Sequence, residues 1–183
     1  AGLAAVAARY SAAMSSDLVA LVDPADPADP IARQFVPDAR ELETDPAELA
    51  DPIGDDAFSP TAGLVHRYED RVLLKIVSAC PVYCRFCFRR ETVGEGQGGL
   101  MPEADIAAAL AYVAAHPEVW EIILTGGDPL ALSPRRLRDV LGRIAAIPHV
   151  KTIRIHTRVP VVLPGRVDQA LVAALRSIDR PVY

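Results

Sequence analysis

The chain lacks long apolar runs and a surplus of positive charge, and each absence argues against a class of protein. No apolar run approaches the roughly 20 residues that a membrane-spanning helix needs, and no cleavable signal pattern is present at the start. The formal net charge is −5 at pH 7, which argues against general nucleic-acid binding. Apolar residues make up 51% of the 183 positions and charged residues 23%, which is typical of a globular chain with one core.

Cysteine is also scarce, and the three that are present fall within eight residues, with the spacing Cys-x3-Cys-x2-Cys: Cys80, Cys84 and Cys87. A disulfide framework favours an even count spread along the chain, and structural zinc usually takes four ligands. Neither His66 nor His116 is spaced to complete a zinc tetrahedron. Three thiolates can hold three irons of a 4Fe–4S cluster and leave the fourth iron open to chemistry. We therefore expect a 4Fe–4S cluster here, with zinc or three unrelated core cysteines as alternatives.

Beyond residue 60, strand-like and helix-like segments alternate three times. The predicted strands are residues 71–78, 120–125 and 151–157, and the predicted helices are residues 102–116, 133–147 and a segment around 167–175. This alternation is typical of parallel βα units. We therefore predict an α/β fold with parallel βα units over residues 61–183, with residues 181–183 opening a further strand.

The first sixty residues are predicted to form an N-terminal helical arm followed by a proline-rich linker. An alanine-rich stretch at 3–22 favours one or two helices, and 31–35 favours a short one. Between them, an Asp-Pro repeat at 23–30 prevents helix continuation and favours turns or extended chain. Residues 31–60 are acidic and interrupted by proline, and no catalytic group is predicted in residues 1–60.

Three loops are expected to meet, because active sites in barrels lie where the parallel strands end. They are the cysteine loop (residues 78–90), Gly126-Gly127-Asp128 and residues 156–158. The two glycines let the backbone approach a ligand closely, and the Asp128 carboxylate can pair with an ammonium group. A plain turn is the alternative interpretation. A dinucleotide fingerprint is excluded because its third glycine is missing.

The string Cys-x3-Cys-x-Phe-Cys resembles the signature of the radical S-adenosylmethionine (SAM) enzymes. The resemblance implies a partial radical SAM barrel in which SAM chelates the open iron, with Phe86 near the adenine. It also implies that Gly126, Gly127 and Asp128 bind the amino group of the methionine part of SAM. An electron from the cluster would cleave SAM to methionine and a 5′-deoxyadenosyl radical, which abstracts a substrate hydrogen. An electron donor and a reducing compartment, by default the cytoplasm, follow from this chemistry.

Longer strings resemble the lysine 2,3-aminomutase family. They are His66-Arg-Tyr-Glu-Asp-Arg-Val-Leu-Leu, Cys87-Phe-Arg-Arg, Leu124-Thr-Gly-Gly-Asp-Pro, Ile147-Pro-His-Val and Arg154-Ile-His-Thr-Arg-Val-Pro. The resemblance implies an isomerase that uses pyridoxal 5′-phosphate (PLP) to move the α-amino group of lysine to the β carbon. It places Arg67 and Arg71 at the PLP phosphate and Arg89 at the substrate carboxylate. The related enzyme that isomerises lysine for modification of elongation factor P, and a catalytically incomplete iron–sulfur fragment or a zinc module, are the alternatives.

The chain differs from that family because it lacks residues of the PLP and substrate sites. It has only two lysines, Lys75 within a predicted strand and Lys151 at the start of another, and neither lies in the context of the family's PLP lysine. The family's barrel has six βα units, whereas three strands are predicted here. We therefore expect the N-terminal portion of a longer enzyme, truncated at its C-terminus, with incomplete PLP and substrate sites and with homo-oligomers left open.

Overall fold

A four-stranded sheet forms the centre of the chain in the computed structural model, which describes residues 2–94 and 99–183. The strands lie in the order β1-β2-β3-β4. Their bounds are Leu64–Tyr68, Arg71–Val77, Glu121–Gly126 and Thr152–Ile155. Strands β2, β3 and β4 are parallel, and β1 pairs with β2 in the antiparallel direction. The parallel strands place their carboxyl ends at one edge of the sheet.

Seven α-helices accompany the strands in the described ranges. They are α1 Gly2–Arg9, α2 Ser16–Val19, α3 Ala32–Phe35, α4 Glu103–Ala114, α5 Pro134–Ala145, α6 Val159–Val162 and α7 Gln169–Leu175. Short 3-10 turns occur at Ala39–Leu42, Asp56–Phe58, Pro129–Ala131 and Pro164–Arg166. The longest helices have 12 residues, and no described helix is long and apolar enough to cross a bilayer.

The alternation of side chains along β2 shows which face of the sheet the helices cover. Val72, Leu74 and Ile76 are buried in the main core, whereas Leu73 and Lys75 between them are only half-buried. Successive side chains of a strand point to opposite faces, so the half-buried set lies on the face away from the helices. We call this the inner face. The register extends it across the sheet, and its members are Arg71, Leu73, Lys75, Glu121, Ile123, Thr125, Thr152 and Arg154.

Helix α5 shows how local sequence fixes a helix that the core then stabilises. The Ser133 side chain caps its start by accepting from the backbone N–H of Arg136, and Pro134 occupies the first turn. Its apolar face then buries Leu137, Leu141 and Ile144 completely. Helix α7 begins in the same way, since the Asp168 carboxylate accepts from the N–H of Leu171.

The predicted α/β fold with its parallel strands is confirmed, and one strand was missed. Strand β1 has the mixed sequence Leu-Val-His-Arg-Tyr, without an apolar run or clear alternation, and forms only by hairpin pairing with β2. The predicted opening of a further strand is confirmed by a parallel bridge between Ile153 and Val182. It is held by the N–H of Ile155, which donates to the carbonyl of Tyr183 at 2.7 Å.

Residues 2–60 pack against the cysteine loop. Leu18 of α2 and Phe35 of α3 form a second apolar cluster with Val82 of the cysteine loop and Val162 of α6. The backbone N–H of Tyr83 also donates to the carbonyl of Ala13 at 3.1 Å. A domain boundary near residue 60 stays a prediction, but the two parts share an interface at the cysteines.

Candidate functional site

Three loops meet at the carboxyl ends of β2, β3 and β4. The backbone N–H of Gly127 donates to the carbonyl of Val77 (2.6 Å), and that of Asp128 donates to the carbonyl of Ala79 (3.0 Å). The carboxylate of Asp128 accepts in turn from the backbone N–H of Arg158 at 2.7 Å. The cysteine loop and the loops after β3 and β4 are therefore in direct contact, as the sequence predicted.

The three cysteines surround one small cavity. Cys80, Cys84 and Cys87 are half-buried free thiols, and all three line a cavity of about 50 Å³. Burial, followed by the carboxylate of Asp128 and the two other thiols, raises the pKa of the Cys80 thiol to about 12. A thiolate at this position therefore needs a positive partner, which a bound iron would supply.

A cluster and a single metal ion require different arrangements of the three thiols. Within 2–94 and 99–183, no three histidine, cysteine or acidic side chains converge closely enough to ligate one ion. A tetrahedral zinc ion with its usual Zn–S bonds would hold two sulfurs about 3.8 Å apart. In a 4Fe–4S cluster each cysteine binds its own iron, so the thiolates stand around a cavity and not around a point. The three cysteines remain the predicted cluster ligands.

Phe86 lies on the surface beside the cysteines, next to an arginine that touches one of them. Its side chain is 61% exposed, which leaves the ring free to stack on a ligand. The guanidinium of Arg158 lies 5.1 Å from the centroid of the Phe86 ring, and its Nη1 donates to Cys84 Sγ at 3.0 Å. The adenine contact expected of Phe86 stays a prediction.

The two glycines at the carboxyl end of β3 allow the cysteine loop to lie directly on the loop that follows this strand. Gly126 has φ +108°, and a Cβ there would collide with the carbonyl oxygen of Val77. A Cβ on Gly127 would collide with the carbonyl oxygen of Ala79. Both positions therefore require glycine because another stretch of backbone packs against them. That backbone belongs to the protein itself and not to a ligand. Binding of SAM by Gly126 and Gly127 stays a prediction.

Asp128 uses its carboxylate to join two loops. Oδ1 accepts from the N–H of Leu130 (3.0 Å) and the hydroxyl of Thr157 (2.7 Å). Oδ2 accepts from the N–H groups of Arg158 (2.7 Å) and Val159 (3.2 Å). Four donors therefore occupy the four acceptor positions of a carboxylate that is 5% exposed. The expected pairing of this carboxylate with an ammonium group would have to displace one of them, and binding of SAM by Asp128 stays a prediction.

Arg89 and Arg67 are brought together by one buried acid. Arg89 Nη2 lies 3.1 Å from Oδ2 of Asp55, and Arg67 Nη2 lies 3.6 Å from Oδ1 of the same carboxylate. Arg89 also donates from Nη1 to Thr125 Oγ1 at 3.4 Å, at the end of β3. The predicted carboxylate-binding arginine and one predicted phosphate-binding arginine thus lie at a common site.

Arg71 lies away from this group, at the start of β2. The strand separates it from the cysteine loop by roughly 20 Å. Its guanidinium pairs with Asp70 at 2.8 Å and lies 3.7 Å from the buried carboxylate of Glu121, which also pairs with Arg154 at 2.7 Å. The structure does not bring Arg71 to the cysteines, and its role at a PLP phosphate stays a prediction.

Comparison with known proteins gives the family of this fold and site. Residues 74–179 match the model of the radical SAM superfamily. The chain belongs to this superfamily. Membership implies a 4Fe–4S cluster and SAM, the two groups that the sequence led us to expect at the cysteine loop.

Similar proteins within the superfamily include aminomutases. The chain is 41% identical to L-lysine 2,3-aminomutase of Clostridium subterminale over 182 residues, an alignment that covers 100% of this chain and 43% of that protein. It is 42% identical to L-lysine 2,3-aminomutase of Escherichia coli K12 over 148 residues, which are 80% of this chain and 42% of that protein. It is 33% identical to glutamate 2,3-aminomutase of Clostridioides difficile over 178 residues, which are 97% of this chain and 42% of that protein. The chain spans less than half the length of these relatives.

The acids that bind the arginines of the cysteine loop were not predicted from the sequence. Each arginine of the cysteine loop pairs with an acid from residues 41–55. The pairs are Arg85 with Glu41, Arg89 with Asp55 and Arg90 with Glu48. The acidic composition of this segment was the available signal, but it does not indicate which acids turn inward.

The contact between Arg85 and Glu41 is the most buried of these pairs, with side chains 8% and 11% exposed. Arg85 Nη2 donates to Glu41 Oε2 at 2.6 Å and Nε to Oε1 at 3.0 Å, while Nη1 donates to the carbonyl of Ser11 at 2.9 Å. Burial alone would raise the pKa of Glu41, but the hydrogen bonds from Arg85 and from the backbone N–H of Asp38 outweigh it and lower the pKa. Glu41 therefore holds Arg85, the residue between Cys84 and Phe86, in place.

We predict that Gly126→Ala destabilises the protein while Gly142→Ala stabilises it. The first change adds a collision at a positive φ, at an expected cost of about 1–3 kcal/mol. The second lies in α5, where a Cβ meets nothing within 4 Å, and should stabilise by about 0.5–1 kcal/mol. Urea unfolding of the two variants measures both, and equal midpoints would contradict the close approach at Gly126.

We predict that Glu41→Gln destabilises the protein by about 1–3 kcal/mol at pH 7, because it leaves the buried Arg85 without its counter-charge. Because the pKa of Glu41 is lower in the folded protein, its ionised carboxylate stabilises the folded state at pH values above the unfolded pKa of about 4.3. This stabilisation is lost as the pH falls through the folded-state pKa. The difference from wild type should therefore shrink below about pH 4. Denaturant unfolding across pH measures it, with the exposed Glu43→Gln as control. Equal effects of the two substitutions would contradict this account.

Proposed function

We propose that this chain forms the cluster- and SAM-binding part of a lysine 2,3-aminomutase-like radical SAM enzyme. Such an enzyme moves the α-amino group of lysine to the β carbon with the help of PLP. The observation that carries the proposal is the convergence of three thiols, a Gly-Gly loop and the guanidinium of Arg89 at one edge of the sheet.

The cofactors would supply the radical and the stabilisation of the migrating amino group. The chain would hold them and exclude water. Cys80, Cys84 and Cys87 would hold the cluster, and packing of the N-terminal segment over Val82 would limit access of solvent to it. The exposed ring of Phe86 would pack on the adenine of SAM.

The inner face of the sheet suits a cofactor that carries a phosphate. Arg71, Lys75 and Arg154 place three positive charges on it, against the single carboxylate of Glu121. Both carboxylate oxygens of Glu121 are buried, and neither accepts a hydrogen bond within the described ranges. Within these ranges, Glu121 is therefore held by its ion pairs with Arg71 and Arg154 alone. Arginine forks match phosphate oxygens in two-point contacts. We propose Arg67 and Arg71 as the phosphate-binding residues of the complete PLP site.

Arg89 supports an amino acid as the substrate. Its side chain is 14% exposed and borders a cavity of about 420 Å³ that Gly126, Gly127 and Lys75 also line. A guanidinium at the edge of such a cavity can take a carboxylate in a two-point contact. Relatives named for lysine share more identity with this chain than the one named for glutamate, which favours lysine. A reducing electron donor and a cytoplasmic location complete the proposal.

We predict that the full-length protein, reconstituted anaerobically with iron and sulfide, binds about four irons and converts L-lysine to β-lysine only with SAM and PLP. Cys84→Ala should abolish both iron binding and turnover, because the cluster loses a ligand. Tyr83→Phe, which removes only a hydroxyl beside Cys84, should retain both. Iron analysis and product chromatography measure these outcomes. Retention of iron by Cys84→Ala, or stoichiometric zinc without visible absorption, would contradict the proposal.

A further inference from the structure

Asp55 is a buried acid that the proposed chemistry does not use. It lies just before the 3-10 turn Asp56–Phe58, and its side chain is 8% exposed. The segment packs on β1, where the guanidinium of Arg67 lies 4.7 Å from the centroid of the Phe58 ring. A carboxylate in this position would be costly without partners, and its partners are Arg67 and Arg89.

The contacts of Arg89 leave one part of its guanidinium free. Nη2 is bound to Asp55 at 3.1 Å, and Nη1 makes a long contact with Thr125 at 3.4 Å. Nε is buried and has no hydrogen-bond partner in 2–94 and 99–183. Buried donors are nearly always paired in folded proteins, so an unpaired charged donor indicates a missing acceptor. A ligand oxygen at Nε would satisfy it.

Asp55 lies between the guanidiniums of Arg67 and Arg89 and reduces their mutual repulsion. Its contact with Nη2 of Arg89, together with the longer contact of Nη1 with Thr125, holds two of the three nitrogens of the planar guanidinium and so sets the direction of Nε. The carboxylate therefore orients Arg89.

We propose that Asp55 is a positioning residue that orients Arg89 to bind the carboxylate of the amino-acid substrate. Asp55 itself does not touch the substrate. The inference rests on the proposed function, because it takes the ligand of Arg89 to be an α-carboxylate. It assigns to the proline-rich linker a part in substrate recognition.

The test compares L-lysine with L-lysinamide, which lacks only the carboxylate charge. It uses the full-length protein reconstituted with cluster, SAM and PLP, and measures both dissociation constants on one preparation by the change each ligand causes in the PLP absorbance. Wild type should bind lysine more tightly than lysinamide. Asp55→Asn, which keeps the shape and removes the charge, should lower this preference about tenfold by raising the dissociation constant of lysine. The ratio does not depend on the fraction of active protein.

Two further variants give the controls. Asp56→Asn changes the neighbouring exposed aspartate and should leave the preference unchanged. Asp55→Glu retains the charge and should keep the preference within about threefold of wild type, so a fall as large as that of Asp55→Asn would overturn the proposal. Iron content and lysine-independent SAM cleavage should stay unchanged in all three variants.

Arg89→Lys separates the failure of this inference from that of the proposed function. It keeps the charge but loses the fork, and it should lower the preference for lysine at least as much as Asp55→Asn. If Arg89→Lys lowers the preference and Asp55→Asn does not, the role of Asp55 is refuted and the carboxylate site stands. If neither lowers it, Arg89 does not bind the substrate carboxylate, and both proposals fail at this residue.

Discussion

Buried contacts between acids of the N-terminal segment and arginines of the cysteine loop fix the geometry on which the site depends. Glu41 holds Arg85 with side chains 11% and 8% exposed, and Asp55 holds Arg89 with side chains 8% and 14% exposed. Because Arg85 lies between Cys84 and Phe86, its position also sets the position of the cysteines. A loop of this length would otherwise have many conformations, and ordering it before a cofactor binds lowers the entropic cost of binding.

A second constraint is the close packing of the loops at the carboxyl ends of the strands. Gly126 and Gly127 remove the side chains that would separate the cysteine loop from the β3 loop. Asp128 then joins the β3 loop to the β4 loop through four hydrogen bonds. The consequence is a rigid edge on which thiols, glycines and a guanidinium have fixed relative positions, as preorganised sites require.

The sequence predicted what depends on local pattern and missed what depends on distant contacts. The parallel strands, the helices α4, α5 and α7 and the clustered cysteines all follow from periodicity or spacing. Strand β1 was missed because hairpin pairing, and not an apolar pattern, forms it. The partners Glu41–Arg85 and Asp55–Arg89 are 44 and 34 residues apart, and acids in a proline-rich segment are usually solvated. The saturation of the Asp128 carboxylate likewise depends on a loop 30 residues away.

The central claim is that Cys80, Cys84 and Cys87 hold a cluster with one iron open to SAM. Electron paramagnetic resonance of the reduced, reconstituted protein with and without saturating SAM tests it most directly, because ligation of the open iron changes its electronic environment. The account predicts a 4Fe–4S signal whose shape changes when SAM is added. A signal that is identical with and without SAM would contradict it.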